Sequence, residues 1–379
     1  MHKCYLTCPR GLEKIAQSDI GSFISNSIIH QGGIEFETNL EGIYNTNIHS
    51  RIGMHLLVEL FQFCANDIDM IYKKIYNFSW DNIIRTNQTF MVKVRGRSKY
   101  FQNNQYITLK IKDAIVDQIK KTQLSRPSVN KDNPHIIISI FISEDSIKVY
   151  LDSSGLPLHK RGYRNKIHRA ALNESLAAGL ILLSNWNQKD PLYDFMCGSG
   201  TIPIEAALIA HNIAPGLYRK NFSFQNWKDY DENLFLKIKN KAEADININY
   251  DIKIYGYDLS FSNIAMCLSS VKSFNIQNLI QFKKQDLVNF EYSKNIGAII
   301  INPPYGERLR QSDENLKSLY ELIGDVFKKQ GCNFDAYVFS SNLEMIKSIG
   351  LKSEKKYVLK NGRLDCRFIH YPISSGKYD

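Results

Sequence analysis

The second half of the chain alternates short apolar runs with amphipathic segments, and this alternation limits its fold more than any other feature. The strand-like runs are 192–195, 252–258, 280–286, 296–302 and 335–341, and the helical patterns lie at 170–186, 201–212, 260–275 and 313–329. Strands that alternate with helices form a parallel sheet covered by helices on both faces. Asn361-Gly362 lies between two further strand-like runs and predicts a hairpin. The sequence therefore predicts an α/β fold, a doubly wound sheet with an antiparallel edge.

The first part of the chain has a different organisation, because strands and helices do not alternate regularly there. Apolar residues at helical spacing predict a helix over 106–122, and 135–142 and 147–152 read as the two strands of a hairpin. Gly155 and Pro157 then break the pattern and indicate a linker. We predict three domains, two small α+β units at 1–55 and 56–154 and the doubly wound domain at 155–379.

The composition is that of a globular protein, with 379 residues, 44% of them hydrophobic and 23% charged. No stretch approaches the roughly 18 to 20 apolar residues of a membrane span, and the N-terminus lacks the apolar run of a signal peptide. We therefore expect a cytoplasmic protein without a membrane partner. The seven cysteines are scattered, which is not typical of a disulfide framework, and no metal site is predicted.

The formal net charge of +10 comes from two short windows. Residues 85–126 contain ten Lys and Arg against two acids, and 159–169 contain five Lys and Arg and no acid. These windows sum to +13, which leaves −3 for the rest of the chain. Phosphate backbones are the commonest partner of such patches. The alternative, a solvated helix face, is favoured for 110–121 alone.

The segment VKVRGRSKYF is harder to explain as a solvated surface. Alternation places Lys93, Arg95 and Arg97 on one face of a strand. Tyr100 and Phe101 follow, and aromatic side chains next to cations suit the stacking of bases. This segment favours binding to a nucleic acid.

A glycine-rich turn follows the first strand of the doubly wound domain, in YDFMCGSGTIPIEAAL. Ligands of such sheets bind at the carboxyl ends of the strands, where Asp194 lies. Gly198 and Gly200 would let the backbone approach a ligand that a Cβ would repel. The motif is neither a P-loop nor a full dinucleotide fingerprint, and a tight strand–helix connection explains it about equally well.

Acidic residues also end the next two strands. Asp258 in that position can accept hydrogen bonds from a ribose diol, and Asp286 ends the strand after it. Each could instead be a helix N-cap. Three acids on consecutive strands after a glycine turn favour a ligand site.

The sequence INPPYGERL at 301–309 is the most specific motif. An apolar strand delivers Asn302 to the sheet edge, and Pro303 and Pro304 lack backbone N–H groups. The Asn302 amide oxygen and the Pro303 carbonyl remain as acceptors, and Tyr305 adds a flat face. This set suits a planar base with an amino group, because hydrogen bonds to both amino protons favour the pyramidal form whose lone pair can attack a methyl group. A rigid turn is the weaker alternative.

Together these motifs resemble the class I S-adenosylmethionine (SAM)-dependent amino methyltransferases. The segments LHKRGYR, ALNESLAAGLILLSNW, DFMCGSGTIPIEAA, IAPGL and NPPYGERL narrow the resemblance. They are similar to THUMP-domain methyltransferases that modify guanine N2 in RNA, in the large-subunit (23S) ribosomal RNA type with a single methyltransferase module. The resemblance is dense from about 155 to 310. It implies a Rossmann-like methyltransferase domain, a ferredoxin-like domain at 1–55 and a THUMP domain at 56–154.

The resemblance also implies roles for the matching residues. The cofactor SAM would be bound by Asp194, Cys197, Gly198, Ser199, Gly200, Thr201, Asp258 and Asp286, with Asp194 and the glycines at its methionine end, Asp258 at the ribose and Asp286 at the adenine. Cys197 is interpreted as part of the turn and not as a nucleophile. The target base would be held by Asn302, Pro303, Pro304 and Tyr305. The residues expected to contact RNA are Arg95, Arg97, Lys99, Lys160, Arg161 and Arg164.

Two other functions remain open at this stage. An adenine-N6 methyltransferase acting on DNA would use the same Asn-Pro-Pro-Tyr chemistry, although a duplex base must first be flipped out. A non-catalytic RNA-binding factor of ribosome assembly could retain a methyltransferase fold. Ribosomal RNA is the expected partner, with transfer RNA as the alternative.

Overall fold

The computed structural model describes residues 1–123, 127–164, 171–289, 296–306, 313–330 and 333–374. The described residues form two sheets, one in each half of the chain. Arg126, Lys166 and Arg169 of the two basic windows lie outside the described residues. No helix within the described ranges is long and apolar enough to cross a membrane.

The N-terminal sheet has eight strands. They are β1 (His2–Thr7), β2 (Ser25–His30), β3 (Gly33–Thr38), β4 (His55–Cys64), β5 (Thr89–Arg97), β6 (Ser128–Val129), β7 (Ile136–Ser143) and β8 (Ser146–Asp152). The helices between them are α1 (Glu13–Asp19), α2 (Leu40–His49), α3 (Ile68–Tyr76) and α4 (Asn104–Gln123). The strand order is β2-β3-β1-β4-β8-β7-β5-β6. Because β4 pairs with β1 on one side and with β8 on the other, the two predicted α+β units share one continuous sheet.

Alternation along the strands gives this sheet two different faces. In β1, Cys4 and Leu6 are buried in the hydrophobic core, whereas Lys3 points to the other face and pairs with Glu35 of β3 at 3.2 Å. In β5, Phe90 and Val92 are buried in the same way, and α4 packs on this strand. The cations of β5 therefore lie on the face opposite its buried side chains.

The C-terminal sheet has seven strands. They are β9 (Leu192–Asp194), β10 (Ile254–Asp258), β11 (Gln281–Lys284), β12 (Gly297–Ile301), β13 (Phe334–Ser340), β14 (Lys355–Asn361) and β15 (Leu364–Ile373). The helices are α5 (Glu174–Leu183), α6 (Thr201–Ala210), α7 (Glu232–Ala244), α8 (Phe261–Ser273), α9 (Asp313–Gln330) and α10 (Leu343–Lys347). The sheet order is β11-β10-β9-β12-β13-β15-β14, with β15 antiparallel to both of its neighbours. The predicted doubly wound α/β fold is confirmed, and α7 and α10 are helices that the apolar pattern did not predict.

This topology places the ligand-binding edge between β9 and β12. The chain runs from β9 outward to β11 and then returns to β12 on the other side of β9, so the strand order reverses there. Connections diverge at such a point and leave a crevice at the carboxyl ends of the strands. Asp194 is the last residue of β9 and Asn302 directly follows β12, the two strands that border the crevice.

The two halves of the molecule are packed closely together. Arg219 donates four hydrogen bonds of 2.7–3.1 Å to backbone carbonyls of residues 154–160, the predicted linker. Tyr44 of α2 stacks on Phe224 with ring centroids 4.4 Å apart. A Cβ on Gly216 would lie 2.6 Å from the Cα of Ile48, so only glycine permits this approach. The linker is thus held in one conformation by the methyltransferase-like half.

Candidate active site

A cavity of about 750 Å³ lies at the carboxyl edge of the C-terminal sheet. The predicted residues that line it are Asp194, Cys197, Gly198, Ser199, Thr201, Asp258, Asp286, Asn302, Pro303, Pro304 and Tyr305. Gly200 is the N-cap residue of α6, between two of these lining residues. Residues from four strands therefore meet at one ligand-sized cavity, as the three acids and the Asn-Pro-Pro-Tyr motif predicted.

The glycine-rich turn needs its two glycines for different reasons. Gly198 and Gly200 have φ values of +53° and +78°, in the region that favours glycine. A Cβ on Gly200 would lie 2.9 Å from Cys267 Sγ and 3.0 Å from Phe282 Cζ. A Cβ on Gly198 would meet nothing within 4 Å, because this glycine borders the cavity. Gly200 is required for packing, whereas Gly198 leaves its space to a ligand.

Cys197 is a buried part of this turn. Its thiol hydrogen-bonds with Cys267, and this bond together with burial raises the pKa of the Cys197 thiol well above its ordinary value. A thiol with a raised pKa contains little thiolate at neutral pH and is a poor nucleophile. The structure agrees with the interpretation of Cys197 as a turn residue.

Asp194 is the most buried of the three acids, with 1% of its surface exposed. Among the described residues, its side chain accepts one hydrogen bond, from the Met196 N–H at 3.1 Å. Burial raises the pKa of the Asp194 carboxyl well above its usual range. A buried carboxylate with so few partners is stabilised when a cationic group of a ligand approaches it.

The carboxylates of Asp258 and Asp286 both accept hydrogen bonds from backbone N–H groups, which use part of their acceptor capacity. Asp258 Oδ1 accepts from the Ser260 N–H at 2.8 Å and the Asn263 amide at 3.0 Å, and its Oδ2 accepts from the Gly198 N–H at 2.9 Å. Since a carboxylate has about four acceptor sites, one site on Oδ2 has no partner in the part of the chain that the structure describes. Asp286 is exposed and accepts from the Val288 N–H at 3.1 Å. Each acid keeps acceptor capacity for a ligand while it caps the turn after its strand.

The Asn-Pro-Pro-Tyr segment is fixed by the surrounding helices and strands. Tyr320 of α9 donates to the Pro304 carbonyl at 3.2 Å, and Asn342 donates to the Tyr305 carbonyl at 3.1 Å. The Tyr305 hydroxyl donates to Asn302 Oδ1 at 2.5 Å, which leaves that amide oxygen one further lone pair. The Pro303 carbonyl accepts no hydrogen bond from the part of the chain that the structure describes. Two residues that line the cavity therefore keep acceptor capacity with respect to the described residues, as expected for a site that holds an amino group.

Comparison with known proteins supports a common architecture along the whole chain. Residues 161–370 match the family model of an RMKL-like methyltransferase domain, 65–152 match a THUMP domain, and 3–56 match the RlmL ferredoxin-like domain. The chain belongs to the RMKL-like methyltransferase family.

Individual relatives agree with this assignment. The ribosomal RNA large subunit methyltransferase K/L of Buchnera aphidicola from Acyrthosiphon pisum is 34% identical over 97% of this chain and 53% of its own length. A Synechocystis sp. protein, provisionally named an RNA methyltransferase, is 32% identical over 97% of this chain and 96% of its own length. A crystal structure of a provisionally named methyltransferase in complex with S-adenosylhomocysteine (SAH) has a TM-score of 0.90, 27% identity and 99% coverage of both chains. The chain spans about half the length of the K/L relatives.

The exposed cations predicted to contact RNA lie away from the methyltransferase cavity, in the THUMP region and at its junction. Arg95, Arg97 and Lys99 are exposed on β5 and just after it, and Lys160 is exposed in the linker. Lys99 Nζ lies 5.1 Å from the ring centroid of the exposed Tyr100. These four cations are accessible to a polyanion.

Three other predictions for this surface are wrong. Phe101, which was expected to stack with bases, is 9% exposed and packs in the core. The Arg161 side chain is 1% exposed, because it lies beside Glu205 at 3.5 Å and donates to the Arg51 carbonyl. Arg164 is mostly buried and pairs with Glu174 at 3.2 Å. Both arginines are structural residues of the domain junction and are not available to RNA.

The structure also shows roles at the cavity that the sequence did not reveal, including one for Arg164, which was predicted to contact RNA. Arg164 donates to the Leu172 carbonyl at 2.7 Å and to the Thr201 hydroxyl, so it holds two residues of the cavity wall. Asn263 braces Asp258, and Asn361 reaches the cavity from a distant hairpin. Asn263 lies in the first turn of α8, five residues after the predicted strand-end acid, which was a usable signal. Asn361 and Arg164 depend on tertiary contacts and had no local signal.

Proposed function

We propose that this protein is a SAM-dependent RNA methyltransferase that methylates the exocyclic N2 amine of a guanine in large-subunit (23S) ribosomal RNA. The observation that carries this proposal is the single cavity that joins the glycine turn and its acids to the Asn-Pro-Pro-Tyr segment. A methyl donor and an amine acceptor must meet within a few ångströms for direct transfer, and the lining of one cavity by both sets of residues supports a donor subsite next to an acceptor subsite.

The residues at the first subsite fit SAM. Ser199 Oγ is buried with no hydrogen-bond partner within the described ranges, and Gly198 leaves open space next to it. Asp194 would pair with the cationic methionine end, the free lone pair of Asp258 Oδ2 would accept from a ribose hydroxyl, and Asp286 would accept from the adenine amino group. SAM supplies an electrophilic methyl group on a sulfonium. A relative solved with SAH, the demethylated form, supports this choice.

The second subsite suits the nitrogen of a base. The lone pair of an exocyclic amine is delocalised into the ring, so the amine is a weak nucleophile. Asn302 Oδ1 and the Pro303 carbonyl would accept the two amino protons out of the ring plane and favour the pyramidal form that attacks the methyl group. Tyr305 is half-buried and stands edge-on to Phe339 at 6.4 Å and 73°, which orients its ring for packing against a base.

The RNA assignment rests on the N-terminal half and on the relatives. The THUMP match overlaps the larger basic window, in which Arg95 and Arg97 are exposed. The K/L relatives are named as large-subunit ribosomal RNA methyltransferases. We infer the same substrate class here, with transfer RNA as an alternative, and we propose a cytoplasmic location.

The proposal is tested by methyl transfer from labelled SAM to 23S rRNA, transfer RNA and DNA, followed by nucleoside analysis. We expect N2-methylguanosine in the ribosomal RNA. Asn302→Ala should reduce kcat by about a hundredfold or more, the size typical for loss of one transition-state hydrogen bond, while RNA binding stays within twofold. N6-methyladenine in DNA as the sole product would replace this proposal with the adenine-N6 alternative. RNA binding without any methyl transfer would favour a non-catalytic assembly factor.

A further inference from the structure

The hairpin formed by β14 and β15 extends beyond the edge of the sheet on which the cavity lies. Ser340 is the last residue of β13 and pairs with Arg367 of β15. The β14–β15 pairing continues past this point to Asn361 and Leu364. Since β14 runs parallel to β13, the tip of the hairpin projects from the carboxyl edge, as Asn302 does at the end of β12.

Asn361 lies at this tip and lines the same cavity as Asn302 and Tyr305. Its side chain is half-buried. Within the described part of the chain, its amide neither donates nor accepts a hydrogen bond. Half-buried amides are usually satisfied by protein or ligand partners. With respect to the described residues, the Asn361 amide therefore keeps its N–H donors and its acceptor oxygen for whatever fills the cavity.

The strand order separates the two ends of the cavity. Along the carboxyl edge, Asp286 and Asp258 follow β11 and end β10, Asn302 follows β12, and Asn361 ends β14 on the far side. The acids that suit the cofactor thus lie on one side of Asn302 and Asn361 lies on the other. This arrangement places Asn361 on the side of the methyl acceptor.

Contacts with the ferredoxin-like region hold the hairpin in place. The Lys360 N–H donates to the Arg10 carbonyl at 3.3 Å, and a Cβ on Gly11 would lie 2.4 Å from the Val358 carbonyl oxygen. Lys360 also pairs with Asp365 across the hairpin at 3.0 Å. A group fixed in this way before the ligand arrives loses little freedom on binding, which favours selective recognition.

We propose that Asn361 is a specificity-determining residue that binds the Watson–Crick edge of the target guanine, an inference that rests on the proposed function. With guanine N2 held at Asn302, the N1–H and O6 groups follow N2 along the same Watson–Crick edge of the base. The Asn361 amide oxygen accepts from N1–H and its NH₂ donates to O6. Adenine held by its N6 amine presents the N1 acceptor and then a C2–H, so only one of the two bonds forms. The pair of bonds selects guanine.

The first test measures kcat/KM of the full-length chain on 23S rRNA transcribed in vitro. Asn361→Ala should lower kcat/KM on the order of tenfold to a hundredfold, because the base edge loses its paired partners. Asn361→Asp should lower it further, because a carboxylate has no donor for O6. SAM affinity, measured by calorimetry, should stay unchanged in both variants. Lys356→Ala, an exposed position on the same strand, is the matched control and should retain wild-type kinetics.

The second test uses a base that lacks N1–H and O6, the two groups proposed to bind Asn361. The target nucleotide is mapped on the wild-type product, and short RNAs are made with guanine or 2-aminopurine there. 2-Aminopurine keeps the 2-amino group but lacks O6 and N1–H. The wild type should prefer guanine by tenfold or more, whereas Asn361→Ala should bring the ratio close to one. Wild-type N2-methylguanosine with an unchanged ratio in the variant would overturn the role of Asn361 alone. A wild-type product other than N2-methylguanosine would overturn the proposed function as well.

Discussion

The three acids at the strand ends look alike in the sequence but differ in the structure. Asp194 is buried, and burial raises the pKa of its carboxyl, whereas Asp286 is exposed. An ionised carboxylate in such a place costs folding free energy unless a cation approaches it. A buried carboxylate at Asp194 that lowers folding stability indicates a role in ligand binding, for which stability is given up.

Asp194→Asn should therefore stabilise the fold and weaken the cofactor complex. An acid whose pKa is higher in the folded state than in the unfolded state lowers stability as pH rises from the unfolded pKa to the folded pKa. The gain of the Asn variant should accordingly grow as pH rises from 4 to 8 and reach on the order of 1 kcal/mol. Urea unfolding across this range measures the gain, and calorimetry with SAM measures the loss of affinity. A variant that is less stable than wild type at pH 8 would contradict the argument.

The glycines of the turn give a matched pair of substitutions. Gly200→Ala combines a positive φ with a Cβ that contacts Cys267 and Phe282, so we expect a loss of about 2 kcal/mol or more in the free energy of unfolding. Gly198→Ala has the positive φ without the clash and should cost about 1 kcal/mol. The Cβ that Gly198→Ala adds would enter the cavity. SAM affinity should therefore fall by more than the loss in the free energy of unfolding explains. Equal effects of the two variants on both measurements would argue against this division of roles.

At the scale of helices and strands, local patterns predicted most of what the structure contains. The alternation of apolar runs gave the doubly wound sheet, and the strand-end motifs gave most residues of the cavity. The burial of Arg161 and Arg164 was not predictable from local sequence. The partner of Arg161 is Glu205, 44 residues away, and the partner of Arg164 is Glu174, on a different element. From sequence alone, a cluster of arginines predicts an exposed basic patch. The buried acids that pair with these arginines are brought close only by tertiary contacts. Asn361 was missed for the same reason, since its approach to the cavity depends on strand order.

Arg164 connects the linker to the starts of α5 and α6. It pairs with Glu174 in the first turn of α5 and donates to Thr201, the first residue of α6. Arg164→Met should destabilise the protein by about 3 kcal/mol, because it leaves the Glu174 carboxylate buried and unpaired.

A double-mutant cycle with Glu174→Gln tests this explanation by urea unfolding. Removal of the charge at Glu174 should recover part of the loss, since the buried carboxylate is then absent. Additive effects of Arg164→Met and Glu174→Gln would show that the ion pair is not the cause.

On the scale of the whole molecule, the continuous eight-stranded sheet carries an uneven distribution of charge. Around β1, β3 and β8, Glu35 pairs with Lys3 at 3.2 Å and with Lys148 at 2.9 Å, and Glu59 lies 3.9 Å from Lys148, so the two acids balance the two lysines. At the β5 side, Arg95 and Arg97 are exposed and have no acidic partner among the residues that the structure describes. The unpaired positive charge therefore lies mainly at one end of the sheet. The strand patterns alone did not predict that both N-terminal units share this sheet.

This uneven charge predicts how RNA affinity depends on salt. Arg95→Gln with Arg97→Gln should weaken RNA binding at low salt and flatten the plot of log K against log salt by about 1.5, since each lost phosphate contact removes roughly 0.7 to 0.9 from the slope. Lys120→Gln with Lys121→Gln removes the same charge from the end of α4, which packs on the other face of the sheet, and should leave the slope near that of the wild type. SAM affinity should not change in either pair. Equal slopes for the two pairs would mean that net charge, and not the β5 surface, attracts the RNA.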